Sequence, residues 1–153
     1  MSLQGKSPII TGGGTGIGKA TAILLAQHSA IVLISERKES KFQQDQEECS
    51  KVVISAYVAT KGAVTQLTRI KYADRGIRVN AGCPGAIWTP MVDGFIKRAE
   101  NLFEAEDYVK SFPPIGHLGY AGGVAQTVLF LYSYESGFMT SFMLSVDGGC
   151  IAT

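Results

Sequence analysis

The sequence predicts an α/β fold, a doubly wound parallel sheet with helices on both faces, and two observations carry that prediction. Short apolar runs alternate with stretches of helical periodicity, in the order strand, helix, strand, helix, strand, long helix, strand, irregular lid, helix, strand. Parallel strands need such crossovers, because the chain must return to the same end of the sheet before the next strand begins. The second observation is a glycine-rich turn, Thr11-Gly12-Gly13-Gly14-Thr15-Gly16-Ile17-Gly18, set between the first apolar run and the first helical stretch. No repeat or linker breaks the order, so residues 1–153 read as a single domain with a lid at about 88–119.

Pro8-Ile9-Ile10-Thr11 reads as a short buried strand, and Ile17, Ala20, Thr21 and Leu24 recur at helical spacing, which puts the glycines at a strand-to-helix turn. Such a turn suits a diphosphate: glycine permits positive φ and close backbone approach, while free N–H groups and the positive helix end attract the anion. No lysine follows in Walker fashion, which argues against a triphosphate loop. Gly12, Gly16 and Gly18 form G-x-x-x-G-x-G rather than the G-x-G-x-x-G of the general dinucleotide fingerprint.

Ala30-Ile31-Val32-Leu33-Ile34-Ser35 is a second apolar run, and it ends at Glu36, 18 residues beyond Gly18. An acid near that distance hydrogen-bonds ribose hydroxyls and repels a 2′-phosphate, which favours NAD. Arg37 comes next and would attract that phosphate, which favours NADP. Thr15, not a basic residue, precedes Gly16, and this tips the reading to NAD with NADP as the alternative. The lesser alternative is an ordinary solvated charge pair at a strand end.

Tyr57 and Lys61 are four apart, so on a helix they share a face. A free phenol titrates near ~10, and an ammonium beside it stabilises the phenolate. Such a tyrosine exchanges protons with an alcohol or carbonyl, although taken alone the pair is a common surface combination.

In context these blocks resemble the short-chain dehydrogenase/reductase family. Thr11 to Gly18 is similar to the family's cofactor turn, and Ser55-Ala56-Tyr57-Val58-Ala59-Thr60-Lys61-Gly62-Ala63-Val64 to the start of its catalytic helix. Gly76-Ile77-Arg78-Val79-Asn80 followed by Pro84-Gly85-Ala86-Ile87-Trp88-Thr89-Pro90 resembles its sixth strand and nicotinamide loop. Phe138-Met139-Thr140 and Leu144-Ser145-Val146-Asp147-Gly148-Gly149 resemble its last strand and C-terminal turn.

The resemblance implies a Rossmann-like fold and an NAD(P)-dependent oxidoreductase that moves a hydride between a nicotinamide and a secondary alcohol or ketone. It implies Tyr57 as general acid/base, with Lys61 lowering its pKa and binding the nicotinamide ribose. Gly12, Thr15, Gly16, Ile17 and Gly18 would hold the diphosphate, and Glu36 and Arg37 the adenine ribose. The backbone at Ile87 and the hydroxyl of Thr89 would hold the carboxamide, with Pro84 and Gly85 shaping the approach. Two other outcomes stay open: an NADP-dependent reductase of carrier-bound 3-oxoacyl groups, and a catalytically inactive NAD(P)-binding relative. The family also implies a homo-oligomer, dimer or tetramer, with the tetramer as the default.

The chain departs from the family in its middle. Between Arg37 and Tyr57 the family places its third, fourth and fifth strands with their helices, and the short stretch here contains no Asn-Asn-Ala-Gly segment and no candidate for the active-site asparagine. Lys51-Val52-Val53-Ile54-Ser55 looks like the fifth strand but runs straight into Ala56-Tyr57. Ser55 is therefore either the strand-end catalytic serine or the serine that commonly precedes Ala-Tyr. The stretch from Lys61 to Asn80 is also about one helical turn, ~3.6 residues, short of the family spacing. These shortfalls lead us to expect an incomplete sheet, from a longer enzyme's sequence with segments missing; a naturally short form would aggregate or pair with a second chain through its open edges.

Composition narrows the classes further. With 46% hydrophobic and 18% charged residues and a formal net charge of +1, the chain reads as a well-packed globule with no nucleic-acid footprint. No apolar run reaches membrane-spanning length and Met1 to Lys6 is no signal peptide, which predicts a cytoplasmic protein without membrane contact. Cys49, Cys83 and Cys150 lack C-x-x-C spacing and fit reduced thiols, while His28 and His117 stand alone, so no metal site is expected.

Trp88, Met91, Phe95, Phe103, Tyr108 and Phe112 give the lid an aromatic character that suits a greasy or cyclic alcohol or ketone, or that simply packs the lid on the sheet. Pro113-Pro114 stops any helix there. Ala121-Gly122-Gly123 stands where the family often has Pro-Glu-Glu, so the last helix is expected to begin near Val124 with Val124, Val128 and Leu131 inward. Ser141 replaces an expected glycine.

Overall fold

A computed structural model of the chain describes residues 2–35, 60–69 and 72–151. The chain divides into two compact units, one of Met1–Glu36, Gly82–Gly137 and Leu144–Thr153, the other of Arg37–Ala81 and Phe138–Met143. The fold is α/β.

In the first unit, β1 (Ile9–Thr11) leads through the glycine turn into α1 (Gly16–Gln27), and β2 (Leu33–Ser35) returns parallel to β1 in the register Ile9 to Leu33, Ile10 to Ile34 and Thr11 to Ser35. Backbone bonds extend this ladder at both ends, from Ile31 N to Lys6 O (3.0 Å) and from Gly12 N to Ser35 O (2.7 Å). α5 (Ala121–Tyr132) packs along α1. Leu3, Leu25, Ala30 and Leu129 form the core between them, with Ile10, Leu24, Val32 and Tyr132 packed against it.

The expected burial of the first strand is not met. Ile10 and Val32 face the core, but Ile9 is 69% and Leu33 61% exposed. Strand side chains alternate between faces, and a parallel pair is buried throughout only when both faces are covered. The helix pair α1 and α5 covers one.

α5 also departs from expectation, starting at Ala121 and including both Gly122 and Gly123. The reason lies in β5 (Gly119–Tyr120), whose parallel pairing with β4 (Ile87–Trp88) holds Tyr120 extended as the N-cap. Its ring lies close over Gly122, where a β-carbon would come within 3.3 Å of it. The fully buried face is Val124, Ala125 and Leu129, whereas Val128 and Leu131 are half-buried. Contact with α1 sets that face, and the propensity cost of two glycines, roughly 1 kcal/mol each, is overridden.

The irregular lid contains two helices, α3 (Pro90–Lys97) and α4 (Leu102–Lys110). Pro90 occupies the first turn of α3, where its missing N–H costs nothing. Asn101 caps α4, its side-chain oxygen accepting from Phe103 N and Glu104 N. On the surface of α4, Lys110 pairs with Glu106 at 2.6 Å, and that hydrogen bond raises the lysine's pKa.

In the second unit, residues 60–67 are helical (α2), and a single 3₁₀ turn, Ala73–Arg75, ends on Gly76 in the left-handed region at φ 72°. The block resembling a sixth strand is regular strand only from Ala81, in β3 (Ala81–Pro84). Before it, side chains replace the backbone ladder: Val79 N donates to Thr140 Oγ1, Asn80 Nδ2 donates to Met139 O, and Asn80 Oδ1 accepts from Phe142 N. Ser141 adopts φ 60°, which accounts for a glycine being expected there. β6 (Met143–Val146) is the strand beside β3, with Ala81 N bonded to Phe142 O in the second unit and Gly85 N to Val146 O in the first. Among the described residues, no helix is long and apolar enough to cross a membrane.

Candidate functional site

The glycine turn owes its course to three glycines. Gly12, at φ 70°, leaves β1 by donating to Ser35 O, and Gly16 opens α1 at φ 50°, both conformations that a side chain disfavours. Gly18 sits inside the first turn of α1 with its α-carbon against Gly12, so a β-carbon there would run into the Gly12 carbonyl. The turn thus folds back on the helix start, and no room remains for any other residue at 18.

The N-terminus of α1 lacks internal compensation. Thr15 is the extended N-cap, yet its side chain makes no capping bond, and the first turn holds no acidic residue. An anion of the size of a diphosphate fits such an end, because backbone N–H groups and the helix dipole both favour it. Among the described residues, a β-carbon on Gly12 would meet nothing within 4 Å.

The loop between β3 and α3 comes to this same turn. A β-carbon on Gly16 would lie 3.5 Å from Thr89 Cγ2 and 3.9 Å from Pro90 Cδ. Thr89 is the extended N-cap of α3 and, like Thr15, uses no side-chain atom for capping. Ile87 is buried in β4, and Gly119 beside it leaves room for the Ile87 side chain. Gly85 approaches the backbone of Asp147, where a β-carbon would stand 2.7 Å from Asp147 Cα.

Nine of the residues singled out from the sequence, Gly12, Thr15, Gly16, Ile17, Gly18, Pro84, Gly85, Ile87 and Thr89, belong to one compact unit, and Thr89 lies close to Gly16. Lys61 is an exposed residue of α2 in the second unit. Ser55, Tyr57, Glu36 and Arg37 lie outside the described residues.

The aromatic residues of the lid do not pack it down. Ile96, Val109 and Pro113 are its buried members, while Met91, Phe95, Phe103, Tyr108 and Phe112 are all more than half exposed. Tyr108 and Phe112 stack edge to face at 4.9 Å. A cavity of about 360 Å³ opens behind Ile87, between Pro113, Ile115, Tyr120, Gly123 and Val146. Two residues escaped the sequence reading: Asn101, announced by the Asn-x-x-Glu of a capping box, and Asp147, whose side chain ties the last turn together.

A family model described as enoyl-(acyl carrier protein) reductase matches residues 52–150. Cyclohexanol dehydrogenase of Acinetobacter sp. is 46% identical over 98 residues, 62% of this chain and 36% of that protein. Levodione reductase of Leifsonia aquatica is 38% identical over 100 residues, 62% of this chain and 38% of that protein. The chain thus matches little more than a third of the length of these curated relatives. Among solved structures, aldohexose dehydrogenase of Thermoplasma acidophilum superposes with a TM-score of 0.80 at 20% identity, covering 99% of this chain and 96% of that one. A structure from Agrobacterium tumefaciens determined with bound NADP superposes with a TM-score of 0.77 at 19% identity, covering 99% of this chain and 98% of that one. At these identities the superpositions establish the fold alone.

Proposed function

Because the chain belongs to the short-chain dehydrogenase/reductase family, we propose that it is an NAD-linked oxidoreductase of a secondary alcohol or ketone. Gly12, Thr15, Gly16, Ile17 and Gly18 would hold the cofactor's diphosphate, Glu36 and Arg37 its adenine ribose, and Pro84, Gly85, Ile87 and Thr89 its carboxamide end. The bound nicotinamide supplies or accepts the hydride. Tyr57 exchanges the accompanying proton with the substrate oxygen, Lys61 stabilises the phenolate and holds the nicotinamide ribose, and Ser55 is the candidate for orienting that oxygen.

The observation that carries this reading is the closeness of Thr89 to Gly16, where a β-carbon would come within 3.5 Å of Thr89 Cγ2, since it brings the residues proposed for the diphosphate near those proposed for the carboxamide. The exposed aromatic lid supports an apolar or cyclic substrate, and the relatives that act by name on cyclohexanol and levodione agree with it. Homotetramer and cytoplasm belong to the same proposal and rest on family habit and on the cysteine spacing.

The test is NADH binding followed by fluorescence, then turnover on a panel of secondary alcohols and ketones that includes cyclohexanol. Tyr57→Phe is expected to bind NADH normally and to lose roughly 10²–10⁴ in kcat. A wild-type protein that fails to bind either cofactor would defeat the proposal, and one that binds without turnover would be the inactive relative. Glu36→Ala is expected to raise NADP affinity if Glu36 meets the ribose.

A second reading is an NADP-dependent reductase of carrier-bound 3-oxoacyl groups; the family model's description over residues 52–150 shares with it a carrier-bound acyl substrate, although the reaction it names is reduction of an enoyl double bond. Turnover of an acyl-carrier thioester with NADPH, and none with free cyclic alcohols, would select it.

A further inference from the structure

The turn at residues 146–150 touches the chain just before the lid and again within the lid's far part. Just before the lid, Gly85 N donates to Val146 O at 3.1 Å, and the Gly85 α-carbon lies against the backbone of Asp147. In the far part, Ile115 N donates to Gly148 O at 3.1 Å. Pro113 and Ile115 close so tightly over Gly148 that a β-carbon there would come within 2.8 Å of Ile115 Cγ2 and 3.0 Å of Pro113 Cβ. A β-carbon on Gly149 would lie 3.5 Å from Pro114 Cγ, and Cys150 Sγ reaches Phe112 O at 3.5 Å. The segment from 85 to 115 carries both lid helices and is pinned at its two roots by residues 146–150.

Within that turn the Asp147 side chain adds to the backbone bond from Cys150 N to Asp147 O (3.4 Å). Asp147 Oδ1 accepts from Gly149 N and Oδ2 from Ile151 N, each at 3.0 Å. The turn passes through two glycines in the left-handed region, at φ 63° and 93°, and such a path has little conformational preference of its own. Charge-assisted bonds to both N–H groups select it from the alternatives.

We infer that Asp147 is a positioning residue, whose carboxylate shapes the terminal turn and through it holds both roots of the lid and the carboxamide loop in register. Its consequence for the reaction rests on the cofactor and lid assignments proposed above; the clamp itself rests only on these contacts. Asp147 acts through Gly85 and Ile115 and does not touch the reacting atoms.

Amide hydrogen exchange and NADH binding on the full chain test it, with Asp147→Asn and Asp147→Ala compared to wild type. Exchange at the Gly85 and Ile115 amides is expected to quicken roughly tenfold in Asp147→Ala, the size of effect that losing charged hydrogen bonds produces. In Asp147→Asn, which keeps one acceptor, the increase is smaller, and the amides of α1 and α5 are unchanged in both. NADH Kd and substrate KM rise in the same order with kcat less affected. Unchanged exchange at Gly85 and Ile115, or an equal rise throughout α1 and α5, would overturn the inference, the second marking a merely structural residue. Faster exchange at both roots with unaltered NADH affinity would overturn it too. If wild type binds no NADH, the proposed function fails on its own account, and exchange at the two roots alone decides the clamp.

Discussion

Gly16 and Thr89, far apart in sequence, are neighbours in space: a β-carbon on Gly16 would sit 3.5 Å from Thr89 Cγ2. Both helix starts there have extended N-cap residues, Thr15 of α1 and Thr89 of α3, and neither spends its hydroxyl on capping its own helix. Two helix starts left without side-chain caps, side by side, make a surface of N–H donors and hydroxyls that an anionic, hydrogen-bonding ligand can use.

Gly18 is the most sterically constrained residue of that surface. Gly18→Ala is expected to raise NADH Kd at least tenfold, because the new β-carbon meets the Gly12 carbonyl, a backbone atom that can move only by distorting the turn. Fluorescence titration measures it; an affinity equal to wild type would mean the turn does not hold the cofactor.

The core between α1 and α5 predicts stability. Leu25 and Leu129, each 2% exposed, belong to the same buried cluster, and either one replaced by alanine should cost about 2–5 kcal/mol. Chemical denaturation of both single variants and the double variant should give a double cost smaller than the sum, since the two cavities merge.

Lys6 ties the N-terminal segment to the end of α5. Its ammonium donates to Tyr132 O at 3.1 Å and lies 4.9 Å from the Tyr132 ring centroid and 3.9 Å from that of Tyr134. Lys6→Met keeps the aliphatic stem and removes the charge, so the expected loss is about 1–2 kcal/mol by denaturation. A loss near zero would show the ring contacts to be incidental.

Ser141 holds a left-handed conformation that favours glycine. Ser141→Gly should relieve about 1 kcal/mol of backbone strain, partly offset by the greater freedom of glycine in the unfolded chain. A small rise in Tm is the expected readout, and a fall would mean that the serine side chain contributes more than its strain costs.

Legibility followed the range of the interactions involved. The turn from Thr11 to Gly18, the strand before it and the helix after it were readable because their causes are local: glycine at particular dihedrals, an apolar run, a helical period. The N-cap at Asn101 was equally local and was overlooked in a lid read as irregular. α5 was misplaced because its start is dictated by Tyr120, which is held extended by pairing with a strand more than thirty residues earlier, and its buried face by packing on α1. The exposure of Ile9 and Leu33 was likewise invisible, since a strand's own residues do not say whether a second layer will cover them.

From the amino-acid order alone came the α/β class, the family and the identity of the residues proposed for the cofactor, because motif spacing and periodicity are properties of neighbours along the chain. Only the tertiary structure decided that Thr89 comes close to Gly16, and that residues 146–148 bond to both Gly85 and Ile115. Those relationships depend on packing between segments distant in sequence, where burial and hydrogen bonding to a remote partner outweigh local propensity.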